Sequence, residues 1–126
     1  MPEASITYAV TFEDGAVTYM ARILGNDGAA ITQATLSSIA CGVYTTDGTE
    51  IATPSVVVAS TVYDTLQTDD ARWTVDSTGY NVAFTVPPTA FPSADTDYDI
   101  EFTFTPASGY AIQAKCRVHT LAWHGS

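Results

Sequence analysis

The chain has 126 residues, 46% of them hydrophobic, and a formal net charge of −10 from 14 acidic and 4 basic residues. This length suits a single core, so we expect one β-sandwich domain spanning residues 1–126, with short arms at 1–4 and 121–126. The negative charge repels nucleic acid and anionic lipid, which disfavours nucleic-acid and membrane partners.

Residue usage indicates an all-β fold. Thr is abundant and Lys is nearly absent, a bias that suits sheet surfaces and disfavours long helices. The start "MPEASITYAV" lacks a basic segment followed by an apolar one, so no secretory signal is expected. The chain is expected either to be made in a cytoplasm or to have been trimmed beforehand.

Two alternating runs open the chain. Apolar side chains at every second position of the first run predict a half-buried strand, and they are Ile6, Tyr8, Val10 and Phe12. After the turn signal at 13–15, a second run places Val17, Tyr19, Ala21 and Ile23 on one face. The two runs are expected to pair as a hairpin, and "GNDG" at 25–28 ends the second strand.

Three more strands are predicted in the middle of the chain. Residues 38–45 alternate around Cys41, and "TDGT" at 46–49 then turns the chain back. The β-branched residues of the run 56–62 predict a strand by propensity. Residues 80–86 alternate again until Pro87 and Pro88 stop the pairing.

The stretch "DTLQTDDARWTVDSTGY" separates the last two of these strands. Its 16 residues from Asp64 to Gly79 are long for a plain connection. Thr68 followed by two aspartates predicts the N-cap and first turn of a short helix, near Thr68–Trp73. We expect the segment to cover one end of the sandwich and to touch a neighbouring subunit.

The closing run predicts a hairpin with a defined register. One face of residues 97–105 is apolar and the other acidic, while residues 112–118 alternate apolar with polar or basic side chains. If the turn is 106–110, facing residues are Asp97 with His119, Asp99 with Arg117, Glu101 with Lys115, and Thr103 with Gln113. A shift by one residue would place acids opposite core positions. The expected fold is an immunoglobulin-like antiparallel β-sandwich of seven to eight strands.

Neither group of carboxylates indicates a metal site. The acids of the closing hairpin face cationic or imidazole partners across the strand, and neighbouring same-face groups stand about 7 Å apart. The four aspartates between 64 and 76 lack the Asp-x-Asp-x-Asp-Gly spacing of a calcium loop. His119 and His124 would supply at most half of a zinc site. No metal and no cofactor are expected.

The two cysteines leave two readings open. Cys41 and Cys116 both fall on inward strand positions, so an inter-sheet disulfide and two buried free thiols are both compatible with the pattern. Free thiols are favoured, because nothing indicates an oxidising compartment. His119 points to the face opposite Cys116, which disfavours a thiol nucleophile, and we expect no catalytic residues and no enzyme.

Exposed aromatic residues are the remaining candidates. Trp73 and Trp123 are of the type that stacks on sugar rings, although no row of aromatics accompanies them. Leu121 and Trp123 follow the last strand on its outward side, where a partner would cover them. Trp73, Leu121 and Trp123 are therefore the candidate partner contacts.

Three segments carry a resemblance to known proteins. "GNDGAAITQATLSSIACGVYTTDGTEIA", "VVVASTVYDTLQTDDARWTVDSTGYNVAFTVP" and "YDIEFTFTPASGYAI" resemble short proteins encoded in structural-gene regions of tailed bacteriophages, over roughly residues 20–122. The chain is also similar in outline to the immunoglobulin-like module of phage baseplate upper proteins, in its "vyxxdGt" hairpin and central "GY" strand. The shared motifs are turns and packing residues, so no functional residue is carried over.

The resemblance implies a non-enzymatic virion protein that is made in the host cytoplasm. It implies decoration or cementing of the capsid, with the major capsid protein as partner, and the alternatives are a head-tail connector, a tail accessory protein or a carbohydrate-binding adhesion module. A homo-oligomer is expected, and a trimer fits common decoration sites.

Overall fold

The computed structural model describes residues 5–25 and 27–123 and contains eight strands. The strands are β1 Ser5–Phe12, β2 Val17–Ala21, β3 Leu36–Thr45, β4 Glu50–Ala52, β5 Val62–Gln67, β6 Tyr80–Val86, β7 Asp97–Pro106 and β8 Ile112–Leu121. A single helical turn, α1, spans Val58–Thr61, and 3₁₀ turns occupy Gln33–Thr35 and Pro88–Ala90. No helix in the described part of the chain is long and apolar enough to cross a membrane.

The strands form a two-sheet sandwich. One sheet has the order β1-β8-β7-β3-β4 and the other the order β2-β6-β5. The second, fifth and sixth strands thus face the third, seventh and eighth, which is the immunoglobulin arrangement, with β4 added at one edge. The predicted all-β sandwich of seven to eight strands is confirmed. One pairing departs from the antiparallel pattern, because β1 runs parallel to β8.

The core lies between the two sheets. Its side chains come from alternate positions of the facing strands and include Tyr19, Val43, Val82, Phe91, Tyr98, Ile100, Phe102, Phe104 and Val118. The rings of Tyr19 and Phe102 stack with centroids 4.6 Å apart, which joins the two sheets at the centre. Burial of these large side chains is the main source of stability, at roughly 25 cal/mol per Å² of apolar surface.

The predicted hairpin of the first two strands is wrong. β1 and β2 belong to different sheets, although the predicted turn at 13–15 does connect them. The apolar residues of β1 also face solvent: Tyr8, Val10 and Phe12 are exposed, while Ala9 packs against the core. Alternation identified the strand, but it could not say which of its two faces would be covered.

Two local predictions around the long loop are also wrong. Residues Val58–Thr61 form the helical turn α1 instead of a strand, and β5 begins only at Val62. The segment Thr68–Trp73 contains a hydrogen-bonded turn instead of a helix, closed by the Trp73 N–H on the Asp70 carbonyl at 3.0 Å. The Asp70 carboxylate accepts a hydrogen bond from the Arg72 amide at 2.9 Å, a local contact that favours a turn over the start of a helix.

The predicted register of the closing hairpin is confirmed at every position. Asp97 faces His119, Asp99 faces Arg117, Glu101 faces Lys115 and Thr103 faces Gln113. The apolar face of β7 is buried as predicted, with Tyr98, Ile100, Phe102 and Phe104 all in the core. The pairing of charged residues and the burial of apolar residues both require this register, so the two patterns do not conflict.

Buried polar side chains form hydrogen bonds that hold the segments between strands in place. The Tyr98 hydroxyl accepts a hydrogen bond from the Ser93 amide at 3.0 Å, and the Thr120 hydroxyl donates to the Ser93 carbonyl at 2.6 Å. Asn81 bridges the other end of the sandwich: its side chain accepts from the Ile23 amide at 2.8 Å and donates to the carbonyls of Ile23 and Ile31 at 3.0 and 3.2 Å.

The two cysteines are free and buried. Both lie in the five-stranded sheet, on β3 and β8, with β7 between them. An inter-sheet disulfide is therefore excluded by the topology. Burial raises the pKa of Cys41 to about 12 and also raises the pKa of Cys116.

The predicted arms are described only in part. Residues 1–4 and 124–126, and with them His124, lie outside the described residues. Leu121 belongs to β8 instead of an arm.

Candidate interaction surface

The outer face of the five-stranded sheet carries a row of exposed apolar side chains at its β1 edge. Tyr8 is 77% exposed and Val10 65% exposed. Their register partners on β8 are Arg117 and His119, and Phe12 pairs with Leu121. Trp123, which is 62% exposed, extends the row, because its ring meets that of Phe12 edge-on with centroids 5.0 Å apart. We call Tyr8, Val10, Phe12, Leu121 and Trp123 the apolar strip.

The C-terminal end of β1 fixes one end of the apolar strip. The Glu13 amide donates to the Leu121 carbonyl at 2.8 Å, and the Glu13 carboxylate accepts from the Trp123 amide at 3.1 Å. Glu13 therefore ties the segment after β8 to the turn after β1. This arrangement places the indole against Phe12 and keeps both rings on the same face.

A ladder of ion pairs runs beside the apolar strip on β7 and β8. Arg117 binds Asp99 through two contacts, Nε to Oδ1 at 2.8 Å and a terminal nitrogen to Oδ2 at 3.1 Å. Lys115 lies 3.5 Å from Glu101 and 3.8 Å from Asp99, and His119 Nδ1 lies 2.7 Å from Asp97. The hydrogen bonds from Arg117 hold the pKa of Asp99 below its usual range. The cations of this face are thus matched by acids of the same sheet.

The loop at residues 68–79 joins β5 to β6 and reaches across β6 to β2. Arg22, just after β2, contacts the Asp76 carboxylate at 2.9 Å and the Gly79 carbonyl at 3.0 Å. Arg72 donates to the Thr18 hydroxyl of β2 at 3.2 Å. The loop therefore lies against the three-stranded sheet, held by both arginines.

Trp73 is part of this anchoring. Its ring lies 5.6 Å from that of Tyr80, and its indole N–H donates to the Asp76 carbonyl at 3.0 Å. Of the three predicted partner contacts, Leu121 and Trp123 lie together in the apolar strip. Trp73 is half-buried beside the other sheet.

Three aspartates between residues 64 and 76 have separate partners. Asp64 accepts from the Gln33 amide at 2.8 Å, and Asp70 binds Arg72 at 2.7 Å. Hydrogen bonds from Arg72 lower the pKa of Asp70 to about 2, and hydrogen bonds from the Gly79 amide and from Arg22 lower that of Asp76. Within residues 5–25 and 27–123, no three His, Cys, Asp or Glu side chains form a group that could hold a metal ion.

Sequence reasoning missed the part of the apolar strip that lies on β1. It placed Tyr8, Val10 and Phe12 on a face expected to be half-buried, whereas the small residues Thr7, Ala9 and Thr11 turn inward. One signal was available: Ser5–Phe12 contains no charged residue to mark a solvent face, which is unusual for an edge strand.

No protein-family model matches the chain, and no curated protein matches it.

Proposed function

We propose that the protein is a non-enzymatic structural component of a tailed-bacteriophage particle, acting through protein–protein contacts. The apolar strip is the observation that carries this proposal. Singly scattered apolar residues are normal on a surface, but the apolar strip groups three exposed side chains of the edge strand β1 with Leu121 and Trp123 at the end of its neighbour β8, and such a group is typical of a contact region. The resemblance described above supplies the phage context.

The arrangement of the charged groups supports a structural role. Asp99 and Asp70 have lowered pKa values because each binds an arginine of its own surface, Arg117 and Arg72. Such shifts arise from ion pairs that orient strands and loops. Catalytic sites instead bring several shifted groups together in one cleft.

Capsid decoration is the preferred role. A small sandwich that presents one apolar edge and an otherwise acidic surface is suited to addition onto a preformed protein lattice, with the major capsid protein as the proposed partner. A place in the virion, after synthesis in the host cytoplasm, follows from this role. A head-tail connector or tail accessory protein would use the same surface, and it differs only in where the protein lies on the particle.

A carbohydrate-binding role is the weaker alternative. It would use exposed aromatic residues on one face, yet Trp73 contacts Tyr80 of the three-stranded sheet whereas Trp123 contacts Phe12 of the other sheet. A glycan array would test it: binding that Trp123→Ala abolishes would favour the adhesion module over the capsid role.

Proteomic analysis of purified particles is the test of the phage assignment. Particles made by the phage or prophage that encodes the chain should contain it in stoichiometric amount, and labelling by electron microscopy should locate it on the head. Absence of the protein from intact particles would contradict the proposal. Location on the tail would select the alternative role.

A further inference from the structure

β1 is an edge strand without the usual protection. It pairs with β8 over all eight residues without a bulge, and it contains no Pro, Lys, Asp or Glu. Natural edge strands are normally short, bulged or charged, because a regular uncharged edge invites another strand to pair with it. Among the described residues, no strand occupies the other side of β1.

The other three edges are short, irregular or covered. β4 has three residues and begins with Glu50, and its register with β3 shifts next to Tyr44. β5 carries Asp64 and pairs with β6 at only two positions. β2 has five residues, and the loop side chain Arg72 reaches its Thr18. The contrast shows that the exposure of β1 is particular to that strand.

The backbone of β1 is oriented for further pairing. The Glu13 amide points to β8, where it binds the Leu121 carbonyl. Since successive backbone groups of a strand alternate in direction, the odd-numbered amides face β8 and the even-numbered ones face away from it. The amide and carbonyl groups of Tyr8 and Val10 therefore point to the open edge, and their side chains lie in the apolar strip.

Charge favours a second copy of this chain as the occupant. A protein with a net charge of −10 repels itself at most orientations, but Ser5–Phe12 and Ile112–Leu121 contain no acidic residue. The cations of β8, Lys115 and Arg117, are already matched by acids of β7. The ribbon formed by β1 and β8 is thus a part of the surface where two copies can meet without opposing carboxylates on the paired strands.

We propose that two copies of the protein pair antiparallel through β1, about a twofold axis, to form one continuous ten-stranded sheet from two five-stranded ones. Residues that face each other across such a pair must point to the same side of the sheet. Tyr8 then lies opposite Tyr8 or Val10 of the second copy, and the two apolar strips merge. A twofold contact is self-complementary and closes with two copies.

This inference rests on the assignment of the apolar strip as a contact surface, and it is tested on the purified full-length protein alone. Sedimentation equilibrium should show a dimer that dissociates on dilution. Val10→Lys should weaken the dimer at least about tenfold, because each copy would bring an unpaired ammonium to the junction. Tyr8→Lys repeats the test if Val10→Lys does not fold, with folding checked by circular dichroism.

Matched controls are available on the same molecule. Val75 is 72% exposed and Val57 is 60% exposed, and both lie outside the ribbon. Val75→Lys and Val57→Lys add the same charge, so both should leave the dimer unchanged. Hydrogen exchange should show the Tyr8 and Val10 amides protected in the dimer and unprotected in Val10→Lys.

Three results would overturn the inference: a monomer at all concentrations up to about 1 mM, a trimer, or a dimer that both β1 variants leave intact. A monomer whose β1 edge instead accepts a strand of another virion protein would leave the proposed function standing and reject the twofold pair. A dimer that is absent from particles would reject the proposed function and leave the twofold pair standing.

Discussion

Arg117 holds Asp99 in a two-point contact on the outer face of the sheet, with Nε to Oδ1 at 2.8 Å and the second nitrogen to Oδ2 at 3.1 Å. Only 8% of the Asp99 side chain is exposed, whereas the neighbouring Asp97 is about half exposed. The pair joins β7 to β8 and is the most buried charge contact of the ladder. It makes stability depend on pH.

Asp99→Asn should destabilise the protein by about 1–2 kcal/mol at pH 7, because the amide keeps the shape but loses the charge-assisted bonds. The pKa of Asp99 is lowered in the folded state, so its contribution is present above the unfolded pKa of roughly 3.9. That contribution disappears as the pH falls through the lowered folded pKa. Urea unfolding of both proteins from pH 7 to pH 2 measures the difference.

Asp97→Asn is the matched control, since Asp97 faces the half-exposed His119 on the same strands. Its effect at pH 7 should be smaller than that of Asp99→Asn. Equal losses of stability in the two variants would contradict the role given to the Asp99–Arg117 pair. So would a stability difference between wild type and Asp99→Asn that grows as the pH falls.

Asn81→Ala should be among the most destabilising single substitutions, at about 3 kcal/mol. The substitution leaves the Ile23 amide and the carbonyls of Ile23 and Ile31 buried without their side-chain partner. Thr85→Ala, at an exposed site of the same strand, serves as the control. Chemical denaturation measures the free energy of unfolding of both variants. A smaller loss of stability for Asn81→Ala than for Thr85→Ala would show that the hydrogen bonds of Asn81 contribute little.

Removing a tyrosine hydroxyl should have opposite effects at two buried sites. The Tyr19 hydroxyl has no hydrogen-bond partner among the described residues, so Tyr19→Phe should stabilise the protein by up to about 1 kcal/mol. The Tyr98 hydroxyl accepts from the Ser93 amide, so Tyr98→Phe should destabilise it by about 1 kcal/mol. Thermal midpoints of the two variants are the measurement, and shifts of the same sign would reject this reading.

Both thiols should be unreactive in the native protein. Cys41 and Cys116 are buried, and burial raises the pKa of each thiol, so little thiolate is present at pH 8. Titration with a disulfide reagent should give no reaction before unfolding and two equivalents after it. Rapid native reaction of either cysteine would show that its strand opens.

Prediction from sequence succeeded where two patterns agreed. In the closing hairpin, apolar alternation and charge alternation both required the register that the structure shows, from Asp97 facing His119 to Thr103 facing Gln113. Core residues Tyr98, Ile100, Phe102 and Phe104 followed from the same alternation.

Prediction failed where a single pattern had two physical solutions. The alternation of Ser5–Phe12 fits a strand with either face inward, and only the parallel pairing with β8 decides that Ala9 contacts the core and Val10 does not. The run 56–62 has strong β propensity, yet tertiary context turns Val58–Thr61 into a helical turn. Contacts far apart in sequence, such as Arg22 with Asp76, are not encoded in any local pattern.

The central claim is that the protein joins a phage particle through the apolar strip. The most direct test is co-sedimentation of purified protein with particles from a strain that lacks its gene, comparing wild type, Val10→Lys and the control Val75→Lys. We expect wild type and Val75→Lys to bind to saturation and Val10→Lys to remain in the supernatant. Equal binding of all three proteins, or binding of none, would contradict the account.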